Sequence, residues 1–150
     1  MTEAEREAFL VRFEETPPEG LIGLCVMGGI FSEGIDLKAE RLIGAIVVGP
    51  GLPQVCRERE LLKNFYDARG EDGFFYAYLC PGMNKVLQSA GRVIRTEADE
   101  GVILLLDERF AAARYRNLFP AEWQAPQTCT LQTVQGCLAK FWSERQTERI

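Results

Sequence analysis

Along these 150 residues, apolar positions gather into short continuous runs, and the stretches between them repeat at helical spacing. "LIGLCVMG" (Leu21–Gly28), "LIGAIVVG" (Leu42–Gly49) and "GVILLLD" (Gly101–Asp107) are the runs, each bounded by glycine or a carboxylate. Apolar runs of this length, without alternation, predict strands covered on both faces, hence a parallel sheet between helices. Thr2 to Glu15 opens on a capping box, Thr2-x-x-Glu5, and sets Phe9, Leu10 and Phe13 on one helical face. Pro17-Pro18-Glu19-Gly20 stops that helix. A second helix is predicted from Pro53 to Ala68, with Val55, Leu61, Leu62 and Phe65 as its apolar face. A third covers Met83 to Ile94. A fourth follows Asp107, its cap, as far as Tyr115. A fifth spans Leu131 to Arg145, with Cys137, Phe141 and Trp142 at helical spacing. Strands alternating with helices predict an α/β three-layer domain with no internal repeat.

Composition narrows the class. With 47% apolar and 26% charged residues, the chain can build a core, and its length suits one domain with a small appendage. No apolar run is long enough to cross a bilayer, so no membrane partner is expected, and the acidic start "MTEAEREAFL" is not a signal peptide. Cys25, Cys56, Cys80, Cys129 and Cys137 form no C-x-x-C pair, and their odd number does not suit a closed disulfide framework. They read as reduced thiols of a cytoplasmic protein. There is no histidine, which removes the common hydrolytic triads and most zinc catalysis. A net charge of −5 argues against a broad nucleic-acid face. A narrow groove contacted by a few arginines and backbone amides remains compatible with it.

Ligands of open α/β sheets collect at the carboxyl ends of the strands, which directs attention to the loops after Met27, Val48 and Asp107. The first, "GGIFSEGIDL" (Gly28–Leu37), holds Gly28, Gly29 and Gly34. Such glycines permit close backbone approach to a ligand. Ser32 and Asp36 can hydrogen-bond a sugar or phosphate, and Glu33 can orient a neighbour. The same residues would also serve a plain strand–turn–strand connection. "LLLDE" (Leu104–Glu108) has the form of a Mg²⁺-binding strand of a nucleotide hydrolase, but that signature needs a G-x-x-x-x-G-K-[ST] loop upstream. No lysine here follows a glycine. Asp107 therefore reads as a strand end and helix cap.

"QSAGRVIR" (Gln88–Arg95) places Arg92 and Arg95 three residues apart, on one helical face, with Gln88 four residues before Arg92. Gly91 leaves room for a neighbouring backbone or ligand. Arginine forks match phosphate oxygens and never deprotonate, so the pair can serve as phosphate clamps or arginine fingers. A solvated face with ordinary salt bridges to Glu97, Asp99 and Glu100 would use the same residues.

Taken together and in this order, the two segments resemble the second RecA-like lobe of superfamily 2 DNA helicases of the XPD/DinG type. "GIFSEGIDL" (Gly29–Leu37) looks like motif V, S-E-G-x-D, and "QSAGRVIR" fills every position of motif VI, Q-x-x-G-R-x-x-R. "GVILLLDERF" (Gly101–Phe110) is similar to the segment that closes motif VI in that group. The resemblance implies an α/β three-layer RecA-like domain with a parallel sheet, incomplete on its N-terminal side. Residues 1–120 would form the lobe, and 121–150 a C-terminal extension with one helix packed on it. It also implies that ATP lies between two lobes of one polypeptide. Arg92 and Arg95 would then reach the γ-phosphate, with Arg95 the finger proper and Gln88 ordering that side. Gly34, Asp36 and Gly91 would lie beside the nucleotide. Ser32 and Glu33 would link the cleft to single-stranded DNA. Gln54, Arg57 and Arg59 form a charged face, and no motif assigns them to DNA.

The phosphate loop, the DEAH-type strand holding Mg²⁺ and any iron–sulfur cysteines belong to the family's first lobe, and this chain contains none of them. It also starts beyond the place of the second lobe's opening strand and motif IV. It is therefore expected to be the C-terminal piece of a longer ATP-dependent DNA helicase, inactive alone as an ATP hydrolase. The rival expectation is a free-standing RecA-like adaptor or binding module without catalytic activity of its own.

Overall fold

The computed structural model describes residues 2–13, 19–29, 42–94, 96, 99–123 and 126–148, without the side chains of 146–148. The chain divides into two compact units, Met1–Phe119 and Pro120–Ile150.

The first unit begins with α1 (Glu3–Val11), fixed by the expected capping box. The Glu5 amide donates to Thr2 Oγ1, and the Thr2 amide to Glu5 Oε2. The helix stops at Val11, short of the predicted Glu15; residues 14–18 lie outside the described ones. The Phe9 and Phe13 rings lie 5.4 Å apart, tilted by 56°, and turn toward Gly23, where a Cβ would sit 2.7 Å from Phe13 Cζ.

The segment carrying Gly23 departs from expectation. Leu21–Gly28 is predicted as a buried strand, but residues 21–26 pair with no strand among the described residues, and Leu24 is 92% exposed. Its apolar side chains signalled a strand, but a strand also needs a neighbour to take its backbone hydrogen bonds. At Gly23 the described neighbours are the rings of Phe9 and Phe13, which offer none.

The other two runs are strands. β1 (Gly44–Val48) and β2 (Val102–Leu106) pair in parallel, Gly44 opposite Val102 through Val48 opposite Leu106. The expectation of cover on both faces holds for one face only. Val47 is 5% exposed and joins a core of Leu79, Met83, Val86, Phe110 and Tyr115, with Leu105 packed against it. On the opposite face Ile46, Val48 and Leu106 are open, Val48 to 76%.

The main helical layer is longer than predicted. Helical backbone begins at Gly73, passes through a π-helical turn (Phe75–Leu79) and continues as α3 (Cys80–Ala90). The predicted helix starts at Met83 and ends at Ile94, whereas the structure carries Cys80-Pro81-Gly82 within helical backbone and ends α3 at Ala90. Pro81 has no N–H to give the carbonyl four residues back, that of Ala77, and its ring crowds that carbonyl. Widening to i→i+5 bonding relieves the crowding; the Cys80 amide donates to the Phe75 carbonyl. The orphaned Ala77 carbonyl accepts from Arg59 Nη1 at 2.8 Å. Gly82 lets α3 approach the loop after β1, since a Cβ there would sit 2.7 Å from the Pro50 carbonyl oxygen.

That Arg59 contact explains α2 (Arg57–Asp67), which begins four residues later than predicted, on Cys56 in extended conformation. Its inward face is polar. Arg59 meets Ala77, Glu60 accepts from the Tyr78 hydroxyl at 2.6 Å, and Tyr66 stacks on Tyr76 at 4.1 Å. The predicted apolar face of Val55, Leu61, Leu62 and Phe65 is the exposed one. After β2 the predicted single helix is two pieces, a 3-10 turn (Glu108–Ala111) and α4 (Ala113–Arg116), parted at Ala112 by extended backbone.

In the second unit α5 (Val134–Glu148) begins and ends three residues later than the predicted Leu131–Arg145, with Phe141 and Trp142 edge-to-face at 5.0 Å and Arg145 over Phe141.

Candidate phosphate-facing site

The three loops singled out by the sheet argument converge. Gly51, in the loop after β1, has φ +59°, and a Cβ there would fall 2.7 Å from Met27 Cε. Gly49, with φ +80°, faces Asp107 Oδ2 and Arg109 Nη2 from the end of β2. α3 closes the group, with Gly82 against Pro50 and Lys85 lying over Gly28. The carboxyl end of the two strands is therefore a built meeting point of the turn at 27–29, the loop at 49–52, Asp107 and one side of α3.

Asp107 is engaged by Arg109. One of its oxygens accepts from the Arg109 amide at 2.9 Å and from Arg109 Nε at 2.8 Å; the other accepts from Arg109 Nη2 at 2.7 Å. Those side-chain bonds first, then the backbone one, pull its carboxyl down to about 2. The cap reading of Asp107 thus describes its role. Among the described residues no group of three His, Cys, Asp or Glu side chains could hold a metal ion.

α3 presents the motif VI positions by burying its other side. Leu79, Met83, Val86, Ala90 and Val93 form the buried stripe, and Val93 wedges against Gly101 at the approach to β2. Gln88 is exposed, and Arg92 is half-buried in the turn that ends the helix, its amide donating to the Ser89 carbonyl. Gly91 is exposed with φ −65°, an ordinary helical value, and the nearest atom to a Cβ there is the Leu87 carbonyl oxygen of the same helix, at 3.3 Å. No other described segment crowds Gly91, and its missing side chain leaves the surface open. Arg95, Ser32, Glu33, Gly34 and Asp36 lie outside the described residues. Arg59, read as part of a charged face, is instead committed to the Ala77 carbonyl.

Sequence reasoning passed over Lys85. It stands three residues before Gln88 and seven before Arg92, a spacing that was enough to place it on this side of the helix.

Residues 1–126 match the helicase C-terminal domain family. The chain belongs to that family. It is 36% identical over 129 residues to the regulator of telomere elongation helicase 1 of Bos taurus, covering 80% of this chain and 10% of that one. It is 30% identical over 115 residues to the ATP-dependent DNA helicase DinG of Photobacterium profundum, 75% of this chain and 16% of the relative. The "Probable ATP-dependent helicase" of Methanocaldococcus jannaschii is 32% identical over 102 residues, 62% and 16%. The matched region thus spans under a fifth of each of these relatives. The partial parallel sheet with α3 packed on it is consistent with part of the RecA-like fold of this family.

Proposed function

We propose that this chain is the second motor lobe of an ATP-dependent DNA helicase that moves along single-stranded DNA. One observation carries the reading most directly. α3 buries an apolar stripe and leaves Gln88 and Arg92 on its outer side, in a chain of the helicase C-terminal domain family. In this reading the first RecA-like lobe of the same polypeptide holds the phosphates and Mg²⁺. Arg92 and Arg95 complete the site when ATP closes the lobes, offering fixed donors to charge that builds on the γ-phosphoryl oxygens. Gln88 orders the same side, and Gly34, Asp36 and Gly91 lie beside the nucleotide. Ser32 and Glu33 couple that cleft to the DNA groove. The open apolar face of the sheet and of α2 supports a lobe within a larger protein over a free-standing adaptor.

The test is steady-state ATPase of the complete polypeptide. Arg95→Ala is expected to lower turnover about a thousandfold or more while ATP binding persists. Near-normal turnover would remove the finger role. Ser32→Ala is expected to leave basal turnover standing and to abolish most of its stimulation by oligodeoxythymidylate. Unchanged stimulation would remove that coupling role.

A further inference from the structure

We infer that Lys85 is a phosphate-binding residue of this lobe, outside motifs V and VI. The inference rests on reading the carboxyl end of the sheet as a phosphate-facing cleft, and three observations lead to it.

The first is position. Gly28 has φ +79°, and a Cβ there would meet Lys85 Cδ and Cε at 3.3 Å and Nζ at 3.4 Å. The lysine stem therefore lies across the turn that begins the Gly28–Leu37 segment, and glycine is what lets it lie there. The second is charge. Among the described lysines, Lys63 pairs with Asp67 and Lys140 with Glu144, whereas no carboxylate among the described residues pairs with Lys85. Asp107, the carboxylate at this end of the sheet, is already taken by Arg109. A half-buried lysine that no described carboxylate pairs with is an unusual thing to keep in a chain of net charge −5, and an oxyanion would satisfy it. The third is alignment. Lys85 lies on α3 and Arg92 seven residues further on, in the turn that ends the helix, with Ser89 between them, its hydroxyl donating to the Lys85 carbonyl at 2.9 Å. Two cations so placed, one on the helix and one at its end, can engage separate phosphates of one polyanion.

The ligand class is a phosphate oxyanion, and its two sources are a nucleotide and the DNA backbone. Competitive acetylation of the complete polypeptide that carries this lobe separates them. Lysine acetylation rates would be read by mass spectrometry without ligand, with ATPγS, and with oligodeoxythymidylate; Lys63 and Lys140 are internal references. Slowing of Lys85 by several-fold with the oligonucleotide alone assigns it to the DNA backbone. Slowing with ATPγS alone assigns it to the nucleotide, and slowing with both to a shared phosphate site. A Lys85 rate that follows Lys63 and Lys140 under both ligands overturns the inference. In the complete polypeptide, Lys85→Gln adds a second reading if DNA is the source. The salt slope of oligonucleotide binding should fall by about 0.7, the share of one phosphate contact on a single strand, and Lys85→Arg should restore it. An unaltered slope with an oligonucleotide-protected lysine would also overturn a direct contact. Loss of the arginine-finger effect with Lys85 protection intact would sink the motor reading and leave this site standing.

Discussion

α2 and α3 are both eleven residues long and both adjoin the π-helical turn, yet they resolve opposite conflicts. α3 buries the apolar stripe its sequence advertises. α2 turns a polar face inward and leaves Leu61 and Phe65 in the open. The difference lies in what each helix faces. α3 faces β1, whose backbone is already paired, so apolar contact is all it must supply. α2 faces the π-helical turn, where Pro81 has orphaned a carbonyl. An unpaired buried carbonyl costs more than an exposed leucine, so the polar side of α2 goes in.

Four substitutions test that contrast, each read as chemical unfolding of the complete chain. Met83→Ala, in the buried stripe, is expected to cost about 2–5 kcal/mol. A cost below that range would mean α3 is not the core helix described. Arg59→Met keeps much of the stem but removes the donor to Ala77; a cost of about 1–3 kcal/mol is expected. A neutral result would show that the π-helical turn does not need Arg59. Asp107→Asn acts through pH. The folded carboxyl titrates at about 2, below the ordinary 3.8, so its contribution is present above pH 4 and is lost as pH falls toward 2. The variant should be less stable at neutral pH and should converge on the parent near pH 2; a constant gap across that window would count against the Arg109 clamp. Leu61→Ser should change stability by no more than about 0.5 kcal/mol. A loss of several kcal/mol would place a covering partner on α2 and end the comparison.

What the sequence made legible was local. Thr2 and Glu5 signalled their capping box, and the last two apolar runs signalled their strands, whereas the helix expected to carry Gln88 and Arg92 on one side ends at Ala90, before Arg92. What it concealed depended on distant partners. Nothing near Pro81 announces that Arg59 will rescue the carbonyl four residues before it, so the predicted helix began only at Met83. Nothing within Leu21–Val26 says whether a strand will be there to pair with it. Val55, Leu61, Leu62 and Phe65 formed a sound amphipathic pattern, but pattern names a face without naming its occupant. Lys85 was legible and was passed over, because attention to arginine at motif positions left out a cation on the same stripe.

The pairing of Gly44 with Val102 also has a kinetic consequence. Every ladder bond between β1 and β2 closes a loop that contains α2, the π-helical turn and the whole of α3. Such closure is entropically slow until the intervening chain has shortened itself. The helices, whose contacts are close in sequence, are expected to form first and bring the strand ends together. The sheet is then a late event, and the cleft at its carboxyl end, with Lys85 above Gly28, is assembled last.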